Sequence, residues 1–259
     1  MGSKNWHRVW IGALTIAVLA LAWYVLTDVT HTVSGGRFPS VADFWSALAQ
    51  IATTGYADGT LVQHVLHSLK LVVLSFLVAV AIGMPIGLAM GWNRRIEALI
   101  SPIFSMLRPI PPLAWIPLAI LWLGLGDAAK VLVIYVAAFV PAVINAQAGV
   151  KSIEPHLIEA SQMLGIRGWR LTWEVLVPGA LPMIFTGLRL SLQASWTTLV
   201  AAELVGALAG LGRVLNVAAQ DIYPGMILIG MVSVAILGGA TTWLLGFLER
   251  RIMPWVQAH

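Results

Sequence analysis

The sequence predicts an all-helical integral membrane protein with six transmembrane helices, on three observations. Of its 259 residues, 59% are hydrophobic and 10% charged. Soluble domains carry about 25% charged residues, and a soluble core of this length has no use for the apolar surplus. Long uncharged stretches recur at Val9–Thr27, Leu71 to just before Arg94, Pro109–Gly126, Val131–Val150 and Ile222–Leu248. Each reaches or approaches the roughly 20 residues that cross a bilayer. A sixth, Leu181–Ala202, is long enough but contains Arg189. The third observation is charge asymmetry. With the N-terminus in the cytoplasm, Lys4, Arg8, Arg94, Arg95, Lys151, Arg167, Arg170, Arg250 and Arg251 lie inside, against Arg37, Lys130 and Arg213 outside. That obeys the positive-inside rule and makes both termini cytoplasmic.

Composition also excludes functions. There are no cysteines, so disulfides and thiolate metal sites are absent. The net charge of +4 is scattered between apolar runs and forms no basic stripe, so no nucleic-acid partner is expected. At the N-terminus, Lys4 and Arg8 precede an apolar run and Ala20-Leu21-Ala22 imitates a signal-peptide cleavage site. The run continues through Trp23, Tyr24 and Val25, which favours a retained first span over a cleaved signal.

The chain divides near residue 60. Residues 1–60 hold the first span and a short external (periplasmic) surface helix, and residues 61–259 a five-helix core with a cytoplasmic loop at 149–178. The surface helix starts at Ser40, with Asp43 three residues on as in a capping box. Val41, Phe44, Leu48 and Ile51 share its apolar face. In span two, Gly83, Gly87 and Gly91 recur at spacing four, which lets helices approach closely in lipid, and Pro85 loosens the helical ladder. Span three holds Pro109, Pro111, Pro112 and Pro117. So many lost donors are tolerable only inside protein or beside a watery cavity, so Arg108–Pro117 is expected at the interior, near a pathway or as a re-entrant structural element.

The loop 149–178 predicts two short helices. One starts at Pro155 and stops at Gly165, with Leu157, Ile158, Ser161 and Leu164 on one face. The other runs over about Gly168–Leu176 and carries Trp169 and Trp173. A helix of about ten residues is marginal alone in water, and exposed tryptophans are costly, so this loop is a candidate docking site for a cytoplasmic partner.

These residues carry a resemblance. Glu159-Ala160-Ser161, then Gly165 after three residues, then Val175, Leu176, Val177 and Pro178, resemble the conserved cytoplasmic loop of ATP-binding cassette (ABC) importer permeases. The family pattern is Glu-Ala-Ala, three residues, Gly, nine residues, Ile, one residue, Leu-Pro; here Ser replaces the second Ala, and Val replaces both Ile and Leu. Arg108-Pro109-Ile110-Pro111-Pro112-Leu113-Ala114-Trp115-Ile116-Pro117-Leu118 with Leu121–Gly126, and Thr198–Leu204 followed by Gly210-Leu211-Gly212, resemble the nitrate/sulfonate/taurine group, closest to taurine permeases. The resemblance implies a type I importer permease in a bacterial inner (plasma) membrane. It implies a partnership with a second copy of the chain, two cytoplasmic ATP-binding cassette subunits and an external substrate-binding protein. Pro155, Glu159, Ala160, Ser161, Leu164, Gly165 and Pro178 would couple to the ATPase, and ATP and Mg²⁺ would be bound there rather than here. The cargo it implies is a small anion: taurine or another alkanesulfonate, or alternatively nitrate, an aromatic carboxylate or a pyrimidine precursor. Transport would proceed by alternating access.

The remaining chemistry agrees. No lysine follows a glycine, so no phosphate-binding Gly-Lys-Ser/Thr loop is present. His64 and His67 sit three apart without a carboxylate nearby in sequence, so no metal site is expected and a helix start at the interface is. A membrane enzyme would need clustered His, Asp or Glu at helical spacing inside spans, and a passive channel would need no docking loop. The candidates for a pathway or gate are Arg108, Trp115, Arg189, Trp196 and Glu203. Each has an alternative: the arginines snorkel to headgroups, the tryptophans pack in the core or the interfacial belt, and Glu203 pairs with Arg213.

Overall fold

A computed structural model describes residues 3–29 and 38–257 of the chain. Gly35 and Arg37, expected on the external loop, lie outside the described residues. Regular structure among the described residues is helical, apart from one isolated bridge between Tyr56 and Gly59.

Helix α1 (Ser3–Tyr24), extended by a π turn at Val25–Val29, exposes Trp10, Leu14, Val18 and Leu21. Its far end docks through Trp23, which donates from Nε1 to the Pro39 carbonyl at 2.9 Å and meets Phe38 and Phe44 edge-on. Helix α2 (Val41–Thr53) carries the expected capping box: the Asp43 N–H donates to Ser40 Oγ at 3.1 Å and the Ser40 N–H to Asp43 Oδ2 at 3.0 Å. Its apolar face does more than lie along a membrane. Ala47 and Ile51 are fully buried with Val214, Ala218, Met226 and Ile229.

The core is three long helices: α3 (Leu61–Trp92), α6 (Asp127–Lys151) and α9 (Val177–Leu204), with α6 between the other two. The glycine row does what its spacing predicts. A Cβ at Gly83 would meet Phe139 and Ala142 of α6, and one at Gly91 would press on Val150 at 2.6 Å. Pro85 does not interrupt α3.

Between α3 and α6 the expected third span is reorganised. Helix α4 (Arg94–Leu107) begins directly at the arginines placed in a loop, with Asn93 accepting from the Arg95 N–H at 2.9 Å. A 3₁₀ turn (Pro112–Trp115) and α5 (Ile116–Leu123) follow, at 83° to α4. The prolines thus fall at the bend of a broken span or re-entrant pair and do not begin a span. Pro109, Pro111 and Pro112 cannot donate, and Pro111, which precedes Pro112, stands at ψ 136°, out of helical geometry, while Arg108 before Pro109 is still helical. With the bent pair counted as one, the described residues hold six helical segments long and apolar enough to span, and five otherwise.

Helix α7 (Pro155–Met163) stands where expected. The second loop helix is not separate: α8 (Trp169–Leu171) runs through a π turn (Thr172–Leu176) into α9. The wide turn reroutes hydrogen bonds, the Val177 N–H reaching back to the Thr172 carbonyl, just where Pro178 lacks a donor. Helices α10 (Leu211–Gln220) and α11 (Pro224–Ile252) complete the fold.

Candidate coupling, gate and pathway sites

The α7 end presents apolar side chains to the outside. Pro155 occupies the first helical turn, where its missing N–H costs nothing. The helix stops in a Schellman motif: the Gly165 N–H donates to the Gln162 carbonyl at 3.0 Å and the Ile166 N–H to the Ser161 carbonyl at 3.0 Å, with Gly165 at φ +85°. Met163 is 87% exposed, Leu164 82% and Trp169 74%, with Leu157 and Trp173 exposed beside them. Glu159 and Ala160 are exposed too, while the Ser161 hydroxyl is spent on the Leu157 carbonyl at 2.6 Å. Pro178 is half-buried inside the α8–α9 helix and lies off α7.

The pathway candidates do not converge. Arg189 pairs with Glu249 of α11, so it is a paired cation and not a free one. Trp196 is buried between α9 and α11 and donates from Nε1 to Thr241 Oγ1 at 3.0 Å, a core role. Arg108 and Trp115 line one cavity of about 330 Å³ between the broken span and α6, walled by Phe104, Tyr135 and Phe139.

Glu203 stands elsewhere again, at the end opposite α7, in a fully buried clamp. Its carboxyl accepts from Ser68 Oγ at 2.8 Å and from the Gly212 N–H at 2.7 Å. Ser68 Oγ in turn accepts from the Leu211 N–H at 2.9 Å. His64 accepts from the Gly210 N–H at Nδ1, 3.1 Å, which leaves Nε2 to donate to the Tyr56 carbonyl at 2.9 Å. Three side chains from α3 and α9 therefore satisfy the first N–H groups of α10 and place a carboxyl at the positive end of its dipole. The sequence forces this turn. Gly210 has φ +116°, and a Cβ there or at Gly212 would overlap the Glu203 side chain. Arg213 does not pair with Glu203; it bonds Asp58 at 3.2 Å because the start of α10 turns it outward. Beside the clamp, Asp127 pairs with the buried Lys130 at 3.3 Å and lies 3.2 Å from His67 Nε2, a contact that is an ion pair when the imidazole is protonated. Sequence reasoning missed His64 and Ser68; their spacing of four on one face of α3 was the available signal.

Comparisons with known proteins agree with this architecture. The taurine transport system permease protein TauC of Escherichia coli (strain K12) is 39% identical over 250 residues, 96% of this chain and 90% of that protein. The putative aliphatic sulfonates transport permease protein SsuC of Bacillus subtilis (strain 168) is 32% identical over 248 residues, 96% of this chain and 88% of that one. Among solved structures, an inward-facing conformation of the MetNI methionine ABC transporter matches with a TM-score of 0.61 at 26% identity, covering 76% of this chain and 96% of that chain. Residues 79–254 match the family described as binding-protein-dependent transport system inner membrane component, and the chain belongs to that family.

Proposed function

We propose that this permease subunit carries small sulfonates, taurine first, as one of two identical membrane subunits beside two ATPase subunits and an external binding protein. The observation that carries the cargo is the 39% identity to a taurine permease across nearly the whole chain. The observation that supports the partner is the α7 end, where a defined helix stop holds large apolar side chains in solvent. A buried partner cleft removes that surface from water. ATP and Mg²⁺ are bound by the ATPase, whose closure pushes on α7 and, through α6 and α9, turns the cavity outward; hydrolysis resets it inward.

In this reading the α7 end and both termini face the cytoplasm of a bacterial cell and the α10 end faces outward. Impermeant thiol reagents then label an Asp58→Cys chain in intact cells and leave a Gln162→Cys chain unlabelled; the reverse pattern overturns the orientation. The cargo is tested by uptake of labelled taurine into cells expressing the chain with its ATPase and binding protein, in competition with ethanesulfonate, nitrate and bicarbonate. Uptake displaced by ethanesulfonate alone supports the reading. Uptake displaced by nitrate or bicarbonate and indifferent to ethanesulfonate overturns it.

A further inference from the structure

The cavity behind the broken span holds two polar groups that the chain itself leaves unmatched. Trp115 Nε1 is buried and has no acceptor. Arg108 is exposed at the cavity's rim and makes no ion pair among the described residues, whereas Arg189, the other arginine at span depth, is neutralised by Glu249. A buried N–H without a partner is rare and costly, which applies to Trp115, and a charge without a partner at span depth is costly and usually functional, which applies to Arg108.

Three further features narrow the acceptor that would meet them. The opposite wall is Tyr135, Val136, Phe139 and Val140, near the middle of α6 (Asp127–Lys151), so the cavity sits at span depth and away from the headgroup level at either end. The volume of about 330 Å³ is at the lower end of small-ligand sites, about 300–1,000 Å³. No carboxylate lines it, so nothing on the wall competes for the guanidinium or repels an anion.

We propose that this cavity is an anion station on the transport path, built for a sulfonate. The guanidinium fork of Arg108 takes two of the three sulfonate oxygens, as it takes other planar or tetrahedral oxyanions. The Trp115 N–H, shut off from the cavity in this structure, takes an oxygen once its ring turns toward the guanidinium. The aromatic wall of Phe104, Tyr135 and Phe139 packs against the short alkyl part. A sulfonate stays ionised at every physiological pH, so a fixed cation and neutral donors suffice and no protonation step is needed. The broken backbone is what makes the site possible: a continuous helix through 108–115 would bring its side chains against α6 and close the space. The α10-end clamp and the α7 docking surface have no part in this station, which rests on the reading of the chain as a small-anion permease.

The absence of cysteines permits a direct test. The assembled transporter carrying Val136→Cys, in nanodiscs of zwitterionic lipid, is labelled with the sulfonatoethyl and the trimethylammonioethyl methanethiosulfonates, and modification is read on the permease chain by mass. A fixed unpaired cation in a low-dielectric wall makes the anionic reagent faster by roughly tenfold. Arg108→Gln brings the ratio to about one and Arg108→Lys preserves it. Ethanesulfonate slows labelling of Val136→Cys, and Trp115→Phe weakens that protection without changing the charge ratio. Equal rates for the two reagents with Arg108 present, a ratio indifferent to Arg108→Gln, or no labelling of an ATPase-coupled complex would each overturn the station. A preserved charge ratio without protection by ethanesulfonate overturns the sulfonate assignment. Failed taurine uptake with the charge ratio and protection intact counts against the transport reading and leaves the station in place.

Discussion

The two ends of the helical bundle are finished in opposite ways. At the α10 end, polar groups meet partners from distant parts of the chain: Glu203 with Ser68 and Gly212, His64 with Gly210 and Tyr56, the Tyr56 hydroxyl with Asp221 at 2.6 Å, Arg213 with Asp58. Apolar α2 side chains close over the base of α10 and α11. At the α7 end, Met163, Leu164, Trp169 and Trp173 are exposed although the helix stop at Leu164–Ile166 is closed by its own backbone hydrogen bonds. One end is completed by its own sequence. In the proposed function the other is shaped in advance for the ATPase, since a rigid stop at Gly165 reduces the ordering that docking must supply.

That contrast predicts folding defects at one end and association defects at the other. The largest effect belongs to the clamp. Glu203→Ala strands the Gly212 N–H and the Ser68 hydroxyl in a buried site, at about 1–3 kcal/mol each. Thermal unfolding of the purified permease in detergent checks this, and an unchanged melting temperature would break the comparison at its strongest point. Next comes Leu164→Asp, which puts a charge at the centre of the docking surface. It weakens capture of the ATPase subunit by roughly thirtyfold, a loss of about 2 kcal/mol, and leaves the melting of the isolated permease alone. Gly165→Val is smaller, because nothing lies within 4 Å of that position and the cost is backbone strain of about 1–2 kcal/mol. It uncouples ATPase activity from uptake while the spans still insert; full uptake with normal recovery of the complex counts against the assignment.

The smallest effect is at the outer lip of the clamp. Burial, and then the hydrogen bond to Asp221, hold the Tyr56 hydroxyl well above the ordinary tyrosine range. The folded state thus favours the protonated phenol. The tether contributes fully below the unfolded value of about 10 and fades as pH rises beyond it. Tyr56→Phe costs less than about 1 kcal/mol near neutrality and flattens the melting curve's decline above pH about 10. An identical alkaline decline in both proteins would remove the tether from the account.

Much of this contrast is legible in the sequence because its signals are local. The Ser40–Asp43 capping box, the glycine row of α3 and the Pro155–Gly165 helix each depend on residues within a turn or two, and each stands in the structure where spacing puts it. What sequence reasoning lost was non-local or cooperative. Pro109 reads as the start of a span when uncharged length is the criterion, yet α4 reaches back to Arg94, whose charge can sit at the end of a helix. The loop helix at about Gly168–Leu176 reads as separate from the next span, and only the π turn before Pro178 lets α8 and α9 continue through. Glu203 and Arg213 invite pairing by their opposite charge and short separation. Their fates are decided by Gly210, whose left-handed backbone aims the α10 N–H groups at one and turns the other toward Asp58. His64 and Ser68 join that site across more than a hundred residues; their spacing of four marks a shared face of α3 but not what that face meets.

The most direct test of the unfinished end is solvent access with and without the partner. In this cysteine-free chain, Met163→Cys and Asp58→Cys mark the two ends, both on exposed side chains. Maleimide labelling rates are measured on the purified permease and on its complex with the ATPase subunit. The account predicts that complex formation slows labelling at Met163→Cys by at least about tenfold and leaves Asp58→Cys unchanged. Equal labelling of Met163→Cys in the free and the assembled protein would contradict it.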